Sequence, residues 1–155
     1  MNEIKSPGKF ENKFPVASIG YRILAFLIDF AIFWIIMMVV GMFFGTPHEE
    51  GIGYSLNGFP AFLMMLLGLF LWPISEGVFG QTIGKRLLNI KVVNGNLKPI
   101  GIGQAFVRFF LAFIDYMFLI GLIIAATNKQ NKRIGDLVAN TIVIKTKNAN
   151  IQQRV

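Results

Sequence analysis

The sequence predicts an all-α integral membrane protein: two long transmembrane helices, a third apolar segment, and a small strand element on the cytoplasmic side. Three observations carry that prediction. Of 155 residues, 54% are hydrophobic and only 15% are charged, too little polar surface for a soluble globule of one domain. Two apolar runs lie in a stretch, residues 23–84, that holds no Lys or Arg, and each reaches the roughly 20 residues needed to cross a bilayer. Finally, the basic residues avoid one loop and crowd the others, as they do in proteins that keep positive loops inside.

Residues 1–19 form a polar tail whose Lys5, Lys9 and Lys13, with Arg22 just beyond, place the N-terminus in the cytoplasm. The first span, 20–44, is interrupted after Arg22 only by Asp29. It is much longer than the core of a signal peptide and reads as an uncleaved signal anchor. The loop 45–58 contains His48, Glu49 and Glu50 and no Lys or Arg, so it is expected outside. The second span, 59–79, is broken late by Pro73, Ser75 and Glu76. Lys85, Arg86, Lys91 and Lys98 then return the chain to the cytoplasm over 80–102.

In that return the character changes. Leu87-Leu-Asn-Ile-Lys-Val-Val93 alternates apolar and polar residues like a half-buried strand. Asn94-Gly95 is a strong hairpin signal, so Leu97 to Ile100 should fold back, with Pro99 marking an edge or end. A second alternating run, Asn140 to Thr146, would make the element, about 87–100 and 140–146, viable as a sheet. Between them lies the third apolar segment, 103–126, followed by the basic region 127–155. Crossing once would put Lys129, Lys132, Arg133, Lys145 and Lys147 outside, against the charge rule, and would separate the strands by a membrane. A re-entrant pair of short helices bending near Asp115 to Gly121 removes both objections. A third span remains the alternative.

The charges inside apolar sequence are the candidate functional residues. Arg22-Ile-Leu-Ala-Phe-Leu-Ile-Asp29 and Arg108-Phe-Phe-Leu-Ala-Phe-Ile-Asp115 share both charges and the Ile before the Asp. Seven residues are nearly two helical turns, so each Arg shares a face with its Asp, which lies roughly 10 Å further along the axis. Arg22 can snorkel to headgroups, but Asp29 is too short and must be protonated, paired or hydrated. Glu76, one turn from the cytoplasmic end of its span, lies at a depth near Arg22 and Arg108. Two bases then face three acids, which leaves one acid over. An unmatched carboxyl in a low-dielectric site exchanges a proton near neutral pH or holds a cation. The alternative is that the charges are structural ion pairs fixing helix register, with the surplus acid neutral.

Other patterns exclude more than they suggest. Gly80 and Gly84 have three residues between them, and Arg86 follows Lys85, whereas a phosphate loop needs four and then Ser or Thr. Their expected role is close packing and a turn into the strand, with Lys85 and Arg86 at the headgroups. Asp136 is expected to cap a helix start or pair with a basic neighbour. A lone His48 beside two acids falls short of a metal set. With no cysteine, disulfides and thiolate sites are excluded. Gly41 and Gly45 form a G-x-x-x-G step that could join two copies. Nothing resembles a nucleophile with a positioned base, so no enzyme, cofactor or metal is expected.

Arg22 with Asp29, then Gly80-Gln-Thr-Ile-Gly-Lys-Arg-Leu-Leu-Asn-Ile-Lys-Val-Val93, then Lys132-Arg-Ile-Gly-Asp-Leu-Val-Ala-Asn-Thr-Ile-Val143, resembles the RDD family of small multi-pass membrane proteins. The resemblance covers about 16–146. It implies that the family's Arg and first Asp are Arg22 and Asp29. The second Asp is Asp136, with Asp115 the competing assignment, and Gly80, Gly84, Lys85, Arg86 and Gly135 are further motif positions. One departure is Asn140, where many members have Gly. Members are mostly bacterial, and some have been proposed as cation/proton exchangers. The expectation is a multi-pass protein of the bacterial plasma membrane, N-terminus inside, that meets anionic lipid headgroups and binds no nucleic acid. It would work as a homo-oligomer or with another membrane protein, its cargo being a small monovalent cation and protons. The rival expectation is a non-catalytic membrane adaptor or regulator.

Overall fold

The computed structural model describes residues 15–49, 51–117 and 131–146, with 113–117 described by backbone alone. Helix α1, Ile19–Phe44, buries Arg22, Ala25, Asp29 and Gly41 and exposes Leu24, Leu27, Trp34 and Ile35. The first three recur at helical spacing, so they form one inward stripe. This reverses a water-soluble helix, whose apolar stripe faces inward, and is what a hydrocarbon surround demands. At 26 residues, α1 is about 39 Å long, enough to cross a bilayer.

The loop after α1 closes through a short antiparallel pair, β1 (Thr46–Pro47) with β2 (Tyr54–Ser55). Tyr54 fills the notch at the end of α1. A Cβ added at Gly41 or at Gly45 would come within 2.8 Å of the Tyr54 Cβ. The G-x-x-x-G step expected to join two copies is therefore occupied by this chain's own tyrosine.

Helix α2, Gly58–Phe79, runs 22 residues and is not broken at Pro73. The missing N–H and the ring are absorbed by a widened, π-helical turn at Phe70–Ile74, and the Ser75 hydroxyl donates to the Leu71 carbonyl at 2.5 Å. Gly80, at φ 72°, ends α2 in the left-handed region, a conformation that favours glycine. The reversal delivers α3, Ile83–Leu87, capped by the Thr82 side chain.

The expected strand from Leu87 starts later. Leu87 belongs to α3, Asn89 turns the chain at φ 54°, and β3 spans Ile90–Asn94. It pairs antiparallel with β4, Thr141–Lys145, from Ile90↔Lys145 to Asn94↔Thr141. The predicted fold-back of Leu97 to Ile100 reduces to a single bridge, Val93↔Pro99, and Val16↔Ile144 covers the other side. Ala17, Ala25, Ile90, Val92, Ile100, Ala105 and Val143 form the hydrophobic core, so the sheet packs beneath the starts of α1 and of the next helix.

That helix, α4 (Ile102–Met117), is also polar inward and apolar outward: Arg108 is buried, whereas Ile102, Val107 and Phe110 are exposed. Its backbone stays helical through Asp115, so the expected bend does not begin before Met117. Residues 118–126 lie outside the described residues. Helix α5, Ile134–Val138, leads through Asn140 into β4. The strands before and after the third apolar segment thus meet in one sheet.

Candidate functional site

Five elements converge where the sheet meets the helices. Arg22, Asp29, Glu76, Arg108 and Asp136 are each 6% exposed or less. Asp136 is held at the first turn of α5, where its Oδ2 accepts from the Arg133 backbone N–H at 3.0 Å, the cap expected from the sequence. The same oxygen accepts from Arg22 Nη2, and Oδ1 accepts from Arg108 Nη1. Arg108 continues the chain: Nε donates to Glu76 Oε1 at 2.6 Å and Nη1 to Thr141 Oγ1 at 2.6 Å. Glu76 Oε2 in turn accepts from Lys85 Nζ. The result is an alternating line, Arg22, Asp136, Arg108, Glu76, Lys85, in which every charge touches its opposite.

Asp29 stands beside this line with different company. Its Oδ2 accepts from the Thr82 hydroxyl at 2.5 Å and its Oδ1 from the Gly84 N–H at 2.6 Å, and among the described residues it makes no ion pair. Gly84 is required there. A Cβ would overlap the Ala25 carbonyl oxygen, so only glycine lets α3 lie on α1 with its amide aimed at Asp29.

Three expectations change. Arg22 does not pair with Asp29; it turns to Asp136 and to the Asn131 carbonyl, because Asp29 lies nearly two turns further along α1 while the guanidinium reaches toward the N-terminal end of the helix. Arg108 likewise pairs with Glu76 and Asp136, and the Asp115 side chain lies outside the described residues. Lys85, expected at the headgroups, folds inward because the turn at Gly80 sets α3 back over Glu76; Arg86 remains exposed, 5.8 Å from the Phe79 ring centroid. The expected count of two bases against three acids included Asp115, whose side chain lies outside the described residues. Lys85 and Asp136, which lie outside the apolar segments, join the cluster as partners of Glu76 and of the two arginines. Gly135 allows close approach of α5, its position for a Cβ being 3.3 Å from the Arg108 carbonyl oxygen.

The electrostatics outside the spans follow from this packing. Burial alone would raise the Asp136 carboxyl, but Arg108, Arg22 and Arg133 outweigh it and hold the group well below the usual carboxylate range. Burial pushes the Lys85 ammonium down, with Glu76 opposing the shift and Arg108 adding to it.

A cavity of about 670 Å³ opens beside the network. Arg22, Asp29, Glu76, Lys85, Arg108 and Arg133 line it together with Phe26, Phe30, Trp72, Phe109 and Ala112. The Trp72 indole N–H has no acceptor among the described residues. At the far end of α1, His48 Nε2 lies 3.1 Å from the Ser55 hydroxyl in an exposed pair. No group of three His, Cys, Asp or Glu that could hold a metal occurs among the described residues. Thr82, Thr141 and the Asn131 carbonyl were not singled out from sequence. Thr82, three residues before Lys85, carried the only readable signal, that of a helix cap.

A family model described as the RDD family matches residues 16–140. The chain is 27% identical over 117 residues to an uncharacterized protein of Haemophilus influenzae, covering 72% of this chain and 74% of that protein. It is 27% identical over 146 residues to the uncharacterized protein YxaI of Bacillus subtilis, covering 83% and 96%. No solved structure matches. With the family model spanning most of its length, the chain belongs to the RDD family, as a membrane protein with charged residues buried among its helices.

Proposed function

We propose that this protein exchanges protons for a small monovalent cation across the bacterial plasma membrane, with Asp29 as the acid that binds either. One observation carries the reading: Asp29 lies buried on a helix long enough to cross the membrane, faces the cavity, and is held by neutral donors rather than by a base. Taking up or losing a proton there breaks no ion pair. The Asp29 carboxylate and the Thr82 hydroxyl offer adjacent oxygens, the ligand type hard cations take.

The orientation belongs to the same proposal: N-terminus inside, sheet in the cytoplasm, and residues 103–126 entering and returning from that side. The outward apolar face of α4 and the pairing of β3 with β4 support it. Three membrane-inserted segments leave little room for a pathway within one copy, so the working unit would be an oligomer or a complex with another membrane protein.

The test is a cation-driven pH change in vesicles containing wild type or Asp29→Asn. Asn keeps an acceptor for the Gly84 amide, so the variant should insert. We expect exchange in the wild type and its loss in the variant. Equal activity in both, or none in either, removes the proposal.

The contact of each charge in the line from Arg22 to Lys85 with its opposite favours a second reading, a non-catalytic adaptor that binds another membrane protein through its cytoplasmic sheet and basic tails while the charges hold the fold. Asp29→Asn would then lower abundance with no transport phenotype, and a pull-down from membranes that recovers no partner would count against it.

A further inference from the structure

We propose that the Lys85 ammonium is an internal cation that moves between two carboxylates, Glu76 and Asp29, and competes with a small monovalent cation for Asp29. The inference rests on the exchange reading and names the residue that regulates its site. In the structure Lys85 Nζ pairs with Glu76 Oε2. Glu76 has a second base, since Arg108 Nε donates to its other oxygen at 2.6 Å, so it keeps a partner when Lys85 leaves. Asp29 makes no ion pair among the described residues. One acid thus holds two bases, while another acid lining the same cavity holds none.

The reach is set by bonds already made. The Lys85 backbone N–H donates to Thr82 Oγ1 at 3.4 Å, and the Thr82 hydroxyl donates to Asp29 Oδ2 at 2.5 Å. In series they hold the Lys85 main-chain nitrogen within about 6 Å of that carboxylate, a span that the flexible four-carbon stem of a lysine covers. Gly84, between Thr82 and Lys85, has no side chain to stand in the way, and its amide rests on Asp29 at 2.6 Å. Helix α3 can therefore stay docked while the ammonium swings through the cavity that Asp29, Glu76 and Lys85 all line. Asp29 has room for it: a carboxylate offers about four lone-pair sites, and Thr82 and Gly84 each fill one. The other bases on the wall are Arg22 from α1, Arg108 from α4 and Arg133 just ahead of α5. Arg22 and Arg108 are both tied to Asp136. The ammonium stays protonated in both positions. On Glu76 it leaves Asp29 to a cation from the cavity; on Asp29 it replaces that cation, so release does not strand a bare buried carboxylate.

Carbodiimide cross-linking reads the swap in the unaltered protein, because it joins an amine to a carboxyl that it touches. The carboxyl is activated as an O-acylurea, the amine displaces the urea, and the isopeptide bond that remains is located by mass spectrometry of the linked peptides. Full-length wild type in a maltoside detergent is treated with dicyclohexylcarbodiimide in choline chloride, then in lithium, sodium or potassium chloride at the same pH and ionic strength. Two products are expected in choline, one linking Lys85 to Glu76 and one linking Lys85 to Asp29. At least one alkali cation should reduce the Asp29 product fivefold or more, saturably, without reducing the Glu76 product. The Glu76 product alone would fix the ammonium in place and overturn the proposal. An Asp29 product indifferent to all three cations would show no competition, with the same consequence. Should neither link form, cation-dependent melting decides. Lys85→Gln lacks the internal competitor, so its melting temperature should respond to the alkali cation at a midpoint at least tenfold below that of wild type; a smaller shift or no response overturns the proposal. Failure of the exchange reading looks different. Exchange in vesicles with no Asp29 product removes the swap and keeps the reading, whereas a cation-sensitive Asp29 product without exchange removes the reading and keeps the swap.

Discussion

Asp136 is the residue on which the cluster turns, because its two oxygens separate two guanidinium groups that would otherwise face each other. Removing one partner of a buried pair leaves uncompensated charge and costs about 3–5 kcal/mol. Asp136→Asn should therefore destabilise the protein by that order, read from thermal unfolding in detergent; a loss below about 1 kcal/mol would show that the network contributes little. The pH dependence has a definite sign. The folded carboxyl titrates well below its unfolded value, which is about 3.9. Its stabilisation is thus fully present above roughly pH 5 and is lost as the pH falls through 4 toward the folded value. The melting temperature should stay level from neutral pH to about 5 and drop below 4, and Asp136→Asn should remove part of that drop. In the sequence, Arg22, Asp29, Glu76 and Arg108 stood out because charge interrupts an apolar run. Which partner each takes did not. Arg22 and Asp136 are 114 residues apart, and no local periodicity encodes a contact at that separation. Lys85 stood out as basic, but its inward turn depends on Gly80 adopting φ 72°.

At the scale of elements, the spans and both principal strands were legible because hydropathy and alternation are local properties. What they pack against was not. The G-x-x-x-G step reads the same whether a second copy or Tyr54 fills it, and Pro73 reads as a break unless the helix widens around it. The junction of α3 with α1 shows how one position can fix two elements. Gly84 brings its amide to Asp29 and its Cα against the Ala25 carbonyl, where a methyl group meets main chain that cannot rotate away. Forced overpacking costs about 1–3 kcal/mol, so Gly84→Ala should lower stability by at least that much and weaken the Asp29 hydrogen bond. The neighbouring Gly20, where a Cβ would meet nothing within 4 Å, is the control: Gly20→Ala should leave the melting temperature within a degree or two. At the other end of α1, Tyr54→Ala should loosen the β1–β2 hairpin without changing the oligomeric state seen by light scattering. A change of state would return the glycine step to an intermolecular role.

For the whole molecule, the decisive relation is that β3 and β4, which flank the third apolar segment, are hydrogen-bonded over five residue pairs. Main-chain ladders do not form through hydrocarbon, since both strands must lie where their remaining polar groups are satisfied. On that ground we propose that the third segment begins and ends on one side of the membrane. Arg108 agrees, because α4 holds it against Glu76 at the base of α2 and against Asp136 in α5; a segment that delivered α5 to the far side would pull the network apart. On that proposal the basic residues from Arg133 onward obey the charge rule. The measurement is a pair of fusions after Val155, one reporter active only in the cytoplasm and one only outside. We expect signal from the cytoplasmic reporter alone, in the wild type and in Asp136→Asn, since charge removal loosens the network without moving a strand across a membrane. Signal from the external reporter in the wild type would require β3 and β4 to lie on opposite faces, and the five-residue ladder, the Arg108 contacts and the re-entrant segment would all have to be abandoned together.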